Sequence, residues 1–191
     1  MASFVTSNSK SLSGSIRVPG DKSISHRSII LGSIATGTTR VSGFLQGEDS
    51  LATLNAFKDM GVLIKRDGSD VTIQGVGMHG LNAPTKPLNL GNSGTSIRLM
   101  SGLLSAQSFD SELCGDESLS KRPMGRVIEP LRQMGADISG PDSMPPLSIN
   151  GGKNLSAIEY TMPVASAQIK SCVLLAGLYS KGSTTVIENS I

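Results

Sequence analysis

The stretch GDKSISHRSIIL, residues 20–31, begins with small and hydroxyl residues, carries a cation and continues as an apolar run. The same order recurs in GNSGTSIRLMSGLL, residues 91–104, and in ASAQIKSCVLLAG, residues 165–177. Each stretch predicts a buried helix, because a long run of apolar and small residues follows its first turn. In each, a cation stands four positions after a small or hydroxyl residue, and the cations are 71 and 72 residues apart: Ser23 and Arg27, Gly94 and Arg98, Ser166 and Lys170.

A helix start made of small residues presents free backbone N–H groups and the positive end of the helix dipole, which together bind anions. Three such starts, each with its own cation, predict one pocket for one or more phosphorylated or carboxylated small molecules. The alternative is that Asp21 caps the first helix and the cations are merely solvated. The threefold recurrence favours the ligand pocket.

Composition sets limits on the fold and on the partners. The 191 residues are 38% hydrophobic and 17% charged, which predicts a folded chain of one domain or slightly more. A net charge of +2 and 3% aromatic residues without Trp argue against a nucleic-acid partner. No apolar run reaches the roughly 18–20 residues of a membrane helix, and the N-terminus has no apolar signal core.

The two cysteines and the scattered acidic residues predict neither a disulfide nor a metal site. Cys114 and Cys172 lie far apart, without the spacing of metal ligands. Cys172 falls in an apolar helical run, where a buried thiol is the ordinary interpretation. We therefore expect a cytoplasmic protein without a metal site.

A second pair of landmarks predicts a repeat of about 70 residues. AFKDMGV, residues 56–62, matches LRQMGA, residues 131–136, and the two methionines are 74 apart. In each segment a glycine follows at the position of a left-handed helix C-cap. VLIKRDGSDVTIQG then predicts a hairpin around Asp67-Gly68, and ADISGPDSMPPLSING predicts another with a Pro-rich turn.

The repeat unit reads as helix, strand, helix, strand, strand, with a preceding strand such as LNL at residues 88–90. The predicted class is therefore α/β (α+β), built of repeated βαβαββ units. We expect a flexible start at residues 1–14, then an incomplete domain at 15–191 with units of about 15–77, 88–151 and 157–191. The third unit lacks its second helix and last two strands, so we expect these residues to be part of a longer protein.

Several local motifs have ordinary structural interpretations. GVGMHG, residues 75–80, matches the dinucleotide pattern, but the prolines at 84 and 87 forbid the required helix, which predicts a loop. GDKS lacks the spacing of a phosphate-binding P-loop. His26 is expected at the surface or at a helix cap, and His79 in solvent. Pro123 is expected at a helix start, which would place Arg122 at that helix N-terminus.

Four motifs, in this order and spacing, resemble the 3-phosphoshikimate 1-carboxyvinyltransferase (EPSP synthase) family: VPGDKSISHR, GNSGTSIR, KRPMGR and ASAQIKS. The resemblance covers nearly the whole chain from residue 14 onward. RPMGR and ASAQ are similar to the bacterial class that tolerates glyphosate. The resemblance implies two domains, each of three βαβαββ units, and a protein that is monomeric when full length.

The implied reaction transfers the enolpyruvyl group of phosphoenolpyruvate to the 5-hydroxyl of shikimate 3-phosphate and releases phosphate. It serves chorismate and aromatic amino-acid biosynthesis, proceeds through a tetrahedral intermediate, and requires no metal or organic cofactor. Because the resemblance puts further catalytic groups in a second domain, we expect no significant turnover from this chain alone.

The resemblance also implies roles for individual residues. Lys22 is the implied catalytic residue, which contacts both substrates and takes part in proton transfer. The implied shikimate 3-phosphate ligands are Lys22, Ser23, Arg27, Ser166, Ala167 and Gln168. The implied phosphoenolpyruvate ligands are Lys22, Asn92, Gly94, Thr95, Arg122 and Gln168.

Gly94 departs from the tolerant class, where alanine stands at the matching position, so we expect glyphosate to inhibit. A rival family of enzymes is UDP-N-acetylglucosamine enolpyruvyl transferase, but that family has Lys-Asn where this chain has Lys22-Ser23. A non-catalytic fragment that binds phosphorylated ligands and a purely structural repeat domain are two further possibilities.

Overall fold

A helix followed by a strand, a second helix and a hairpin occurs twice along the chain, and a third copy begins. The computed structural model describes residues 3–8, 11 and 13–188. The predicted class, α/β with repeated units, is confirmed. The unit boundaries remain predictions, and parts of 1–14, together with 189–191 of the third unit, lie outside the described residues.

The first unit places two helices on one three-stranded antiparallel sheet. Its sheet has the order β1-β3-β2, with the loop Gly68-Ser69 joining β2 to β3, one residue later than the expected turn. The elements are α1 (Lys22–Ile34), β1 (Thr36–Val41), α2 (Glu48–Asp59), β2 (Leu63–Asp67) and β3 (Asp70–Val76).

The second unit repeats this order around a four-stranded sheet, β4-β5-β7-β6, in which β4 runs parallel to β5. A 3-10 turn at Pro141–Ser143 lies between its last two strands. The elements are β4 (Leu88–Asn89), α3 (Gly94–Leu104), β5 (Ser111–Cys114), α4 (Glu117–Ser120), α5 (Gly125–Gln133), β6 (Asp137–Ser139) and β7 (Leu147–Asn150).

The third unit is seen as one helix between two parallel strands: β8 (Glu159–Met162), α6 (Ala167–Gly177) and β9 (Thr185–Glu188). No strand is formed by residues 13–21, directly before α1, so the described part of the first unit reads αβαββ. Ile16 and Val18 are 87% and 70% exposed. These exposed side chains show that the extended segment is not packed against a sheet, and an unpacked extended segment is not stabilised as a strand.

Local signals placed the ends of several elements correctly. Gly61 and Gly135 have φ of +90° and +95°, as expected of left-handed helix C-caps. The segment 77–87 contains no helix, and Gly75 and Val76 belong to β3, so GVGMHG is no dinucleotide motif. Among the described residues, no helix is long and apolar enough to cross a membrane.

Helices α3 and α6 form the centre of the packing. Nine residues of α3 are buried, and Gly102 faces α6 so closely that a methyl on it would lie 2.1 Å from the carbonyl oxygen of Cys172. Cys172 itself is fully buried, and burial raises its pKa to about 12. The close approach fixes how the first turn of α6 meets the first turn of α3, where the predicted site lies.

Candidate anion-binding site

The three predicted helix starts share one capping arrangement. Asp21 accepts a hydrogen bond from the backbone nitrogen of Ile24 at 2.7 Å. Ser93 and Ser166 accept in the same way from the third residue of their helices, at 3.1 and 3.4 Å. The caps are 72 and 73 residues apart, so they carry the repeat along the chain. The Ser166 hydroxyl oxygen therefore already accepts one hydrogen bond, from the backbone nitrogen of Ile169, before any ligand binds.

The three cations do not occupy equivalent positions. Counted from the capping residue, Arg27 is sixth in α1, Arg98 fifth in α3 and Lys170 fourth in α6. Lys170 forms an ion pair with Glu188 of β9, with Nζ and Oε2 2.5 Å apart. The expectation of one free cation for each helix start is therefore wrong for α6. Its cation is neutralised by the neighbouring strand.

Arg27 joins α1 to α6. Its Nη1 donates to the carbonyl oxygen of Ser23 at 3.3 Å, and its Nη2 donates to the hydroxyl of Ser171 at 2.9 Å. Lys22, half exposed in the first turn, pairs with the carboxylate of Asp49 in the first turn of α2. This group leaves Ser23 exposed at the mouth of the helix start.

Gln168 joins the first turn of α6 to that of α3. Its Oε1 accepts from Nη1 of Arg98 at 2.9 Å, and its Nε2 donates to the hydroxyl of Thr95 at 3.0 Å. Arg98 also donates to the carbonyl oxygen of Gly94 at 3.1 Å. Three of the predicted phosphoenolpyruvate ligands, Gly94, Thr95 and Gln168, thus come together around Arg98. Arg98 itself is not one of the predicted ligands, although it is one of the three cations of the repeat. Ala167 lies exposed just before Gln168.

Arg122 reaches this group from a loop, and the expected helix start is wrong. Pro123 lies outside a helix, since α5 begins at Gly125 with Met124 as its cap. The backbone nitrogen of Arg122 instead closes the turn after α4 by donating to the carbonyl oxygen of Leu119 at 3.0 Å. Its Nη2 donates to Oδ1 of Asn92, so two predicted ligands are in direct contact.

Two guanidinium groups converge at Gly94. A methyl on Gly94 would lie 2.9 Å from Nη1 of both Arg98 and Arg122. Burial, then the charges of Arg122 and Arg126, lower the pKa of Arg98. Among the described residues, no carboxylate forms an ion pair with any of these three arginines. Like charges held together beside a helix N-terminus, without an ion-paired carboxylate among the described residues, make this place a candidate anion site.

A buried chain of hydrogen bonds connects α1, α2 and α3 beneath the site. Nδ1 of His26 lies 2.7 Å from the hydroxyl of Thr53, which lies 2.7 Å from that of Ser96, which lies 2.6 Å from that of Ser93. All four residues are fully buried. The expectation of a surface or capping histidine is therefore wrong, because His26 faces α2.

The pKa of His26 is lowered to about 4: burial is the main cause, Asp49 opposes it, and the nearby charges of Lys22 and Arg27 add to the lowering. His26 is therefore neutral near pH 7. Within the described part of the chain, no group of three His, Cys, Asp or Glu side chains could hold a metal ion.

Comparison with known proteins shows the family of the chain. The model of the family "EPSP synthase (3-phosphoshikimate 1-carboxyvinyltransferase)" matches residues 6–191. The chain belongs to the EPSP synthase family. The 3-phosphoshikimate 1-carboxyvinyltransferase of Ruthia magnifica is 65% identical over 98% of this chain, and that of Legionella pneumophila strain Corby is 57% identical over 100%.

A solved EPSP synthase from Acinetobacter baumannii superposes with a TM-score of 0.90 at 60% identity, over 93% of this chain and 41% of that one. The chain spans about 43% of the length of the curated relative from Ruthia magnifica. The chain therefore has the fold of the EPSP synthases over the 93% that superposes.

Proposed function

We propose that this chain forms the anion-binding part of an enzyme that transfers the enolpyruvyl group of phosphoenolpyruvate to the 5-hydroxyl of shikimate 3-phosphate. The observation that carries the proposal is the convergence of Arg98 and Arg122 at Gly94, without an ion-paired carboxylate among the described residues. A small dianion placed there would offset the repulsion of two guanidinium groups and accept charge-assisted hydrogen bonds.

Two separate basic groups support two anionic substrates. Around α1, Lys22, Ser23 and Arg27, with the α6 start, would bind shikimate 3-phosphate. Around α3, Asn92, Gly94, Thr95 and Arg122 would bind phosphoenolpyruvate. The N-terminal half of α6 contacts both groups, because Ser171 meets Arg27 and Gln168 meets Arg98. Gln168 would therefore bridge the two substrates, while Ser166 and Ala167 would contribute to the shikimate 3-phosphate site.

The reaction that this arrangement would serve is an addition followed by an elimination. The 5-hydroxyl of shikimate 3-phosphate loses its proton as its oxygen bonds to C2 of phosphoenolpyruvate, and C3 gains a proton as the double bond opens. The bond between C2 and the phosphate oxygen then breaks, phosphate leaves, and loss of a proton from C3 restores the double bond. Lys22 is the proposed proton-transfer group, since its ammonium stands at the α1 start beside Ser23. Releasing Lys22 from Asp49 would be part of substrate binding.

We also propose that glyphosate competes for the Gly94 subsite, and that the complete protein acts as a monomer in the cytoplasm. The free state of both cysteines agrees with a reducing compartment. The rival function is binding of phosphorylated ligands without turnover. It is favoured by the share of the relatives' length that this chain spans.

Calorimetric titration of the chain with shikimate 3-phosphate tests the proposal. We expect saturable binding that weakens by roughly 10- to 100-fold in Arg27→Ala, because one charge-assisted contact is worth about 1.5–3 kcal/mol. Arg40→Ala removes the same charge from the exposed strand β1 and should leave the affinity unchanged. Equal affinity in Arg27→Ala and the parent would contradict the site. Phosphate release on addition of phosphoenolpyruvate would exclude the rival function.

A further inference from the structure

Asp116 contacts both loops of the arginine site without facing the ligand position itself. One carboxylate oxygen, Oδ1, accepts from the backbone nitrogen of Leu119 at 2.8 Å. The other, Oδ2, accepts from Nδ2 of Asn92 at 2.9 Å. The backbone nitrogen of Asp116 donates to the carbonyl oxygen of Gly91, also at 2.9 Å. The loop before α3 and the loop before α4 are therefore tied together at this residue.

The contact with Asp116 decides which way the Asn92 amide points. An amide has an oxygen that accepts and a nitrogen that donates, whereas an ionised carboxylate only accepts. The Asn92 nitrogen must therefore face Asp116, which turns the Asn92 oxygen toward Nη2 of Arg122. The reverse orientation would set an NH2 group against a guanidinium, and neither could accept.

We propose that Asp116 is a positioning residue of the site: by orienting the Asn92 amide, it holds the Arg122 guanidinium over Gly94 in the position that binds the anion. The proposal rests on the proposed function for the identity of that anion, phosphoenolpyruvate. A residue that does not touch the substrate thus sets the geometry of one that does.

The ordinary interpretation is that Asp116 is only the N-cap of the short helix α4. Asn and Ser cap helices about as well as Asp does, so substitution separates the two roles. In Asp116→Asn, the oxygen can still cap Leu119, but the NH2 then faces the NH2 of Asn92. Two donors cannot bond, so the Asn92 amide turns over and its nitrogen meets Arg122. In Asp116→Ser, the cap remains and no second oxygen reaches Asn92.

The matched control is Glu117→Gln. Glu117 is the next residue, is exposed, and pairs with Lys121 at 2.6 Å. Its substitution removes the same charge from the same turn without a contact to Asn92. Any effect of Asp116→Asn that also appears in Glu117→Gln is an effect of charge alone.

Two measurements on the chain test the proposal. The first is NMR of the ligand-free protein, following the Asn92 side-chain amide and the Arg122 guanidinium. In both Asp116 variants we expect shifted Asn92 amide signals and faster rotation of the Arg122 guanidinium, with Glu117→Gln resembling the parent. The second is calorimetry. We expect the affinity for phosphoenolpyruvate to fall about tenfold in both Asp116 variants, as for other partners that orient a ligating group, while that for shikimate 3-phosphate stays unchanged.

Parent-like Asn92 and Arg122 signals in Asp116→Asn would overturn the proposal whatever the ligand is. Altered signals with unchanged phosphoenolpyruvate affinity would overturn it as well, because the orientation would then not matter for binding. If the parent chain binds no phosphoenolpyruvate, the proposed function fails at this subsite, and the ligand-free NMR comparison still decides whether Asp116 positions Arg122.

Discussion

Replacing His26 by Asn should remove a pH dependence from the stability of the chain. The imidazole is fully buried against Thr53, and burial lowers its pKa from 6.5 to about 4. Each tenfold change in proton affinity corresponds to about 1.4 kcal/mol. About 3 kcal/mol of unfolding free energy therefore depends on keeping this ring neutral.

The direction of the effect follows from the two pKa values. Above about pH 6.5 the imidazole is neutral in both states, and its contribution to stability is constant. Between pH 6.5 and 4 the unfolded chain binds the proton and the folded chain does not. The free energy of unfolding therefore decreases as the pH is lowered through this range. Near pH 5 about 2 kcal/mol should already be lost. Below pH 4 both states are protonated and the loss is complete.

Urea unfolding of the parent and of His26→Asn, followed by circular dichroism between about pH 7 and 4.5, measures this term. Asn is neutral throughout and can still bond to the Thr53 hydroxyl. The variant starts less stable, because a smaller side chain leaves space, but it should lose less stability as the pH falls. Parallel losses in the two proteins would refute the reasoning, since they would assign the whole pH dependence to other groups.

Three further outcomes are expected. Gly102→Ala should destabilise the chain by about 1–3 kcal/mol, because its methyl would meet the Cys172 carbonyl oxygen at 2.1 Å. Thermal unfolding checks this against Gly125→Ala, whose methyl would approach only Ser143 at 3.8 Å, and equal melting temperatures of the two variants would contradict it. Gly94→Ala should weaken glyphosate binding, measured by calorimetry, far more than shikimate 3-phosphate binding, because the methyl displaces two guanidinium groups; equal losses would count against separate subsites. Cys172, fully buried with its pKa raised to about 12, should resist maleimide in the native chain and react in urea, as mass spectrometry of the peptide can show; rapid native modification would disprove that burial.

Features decided by neighbours in sequence were predictable. Helices α1, α3 and α6 follow from apolar runs after small residues, and the C-caps at Gly61 and Gly135 follow from glycine at the end of an amphipathic pattern. The hairpin after Gly61 was placed within one residue for the same reason. Backbone conformation in these segments depends on local residue types, which a single sequence displays in full.

Features that depend on packing between units could not be predicted from the sequence. The burial of His26 depends on Thr53 and Ser96, which are brought to it by α2 and α3 from 27 and 70 positions along the chain. Asp116 carries a recognisable capping signal, because it stands three residues before Leu119, but its reach to Asn92 is visible only in three dimensions. The identities of the site residues came from resemblance, while the contacts that orient them required the structure.

The distance along the chain from the capping residue to the cation shortens by one residue from α1 to α3 and again from α3 to α6. The three helix starts are therefore not equivalent. Successive residues of an α-helix point about 100° apart, so cations at the sixth, fifth and fourth positions leave their helices in three different directions. The cations of the three units therefore make different contacts. Arg27 bonds to Ser171 of α6, Arg98 bonds to Gln168, and Lys170 is ion-paired with Glu188 of β9. Single-residue shifts in register are thus the source of the different contacts that the copies of one unit make.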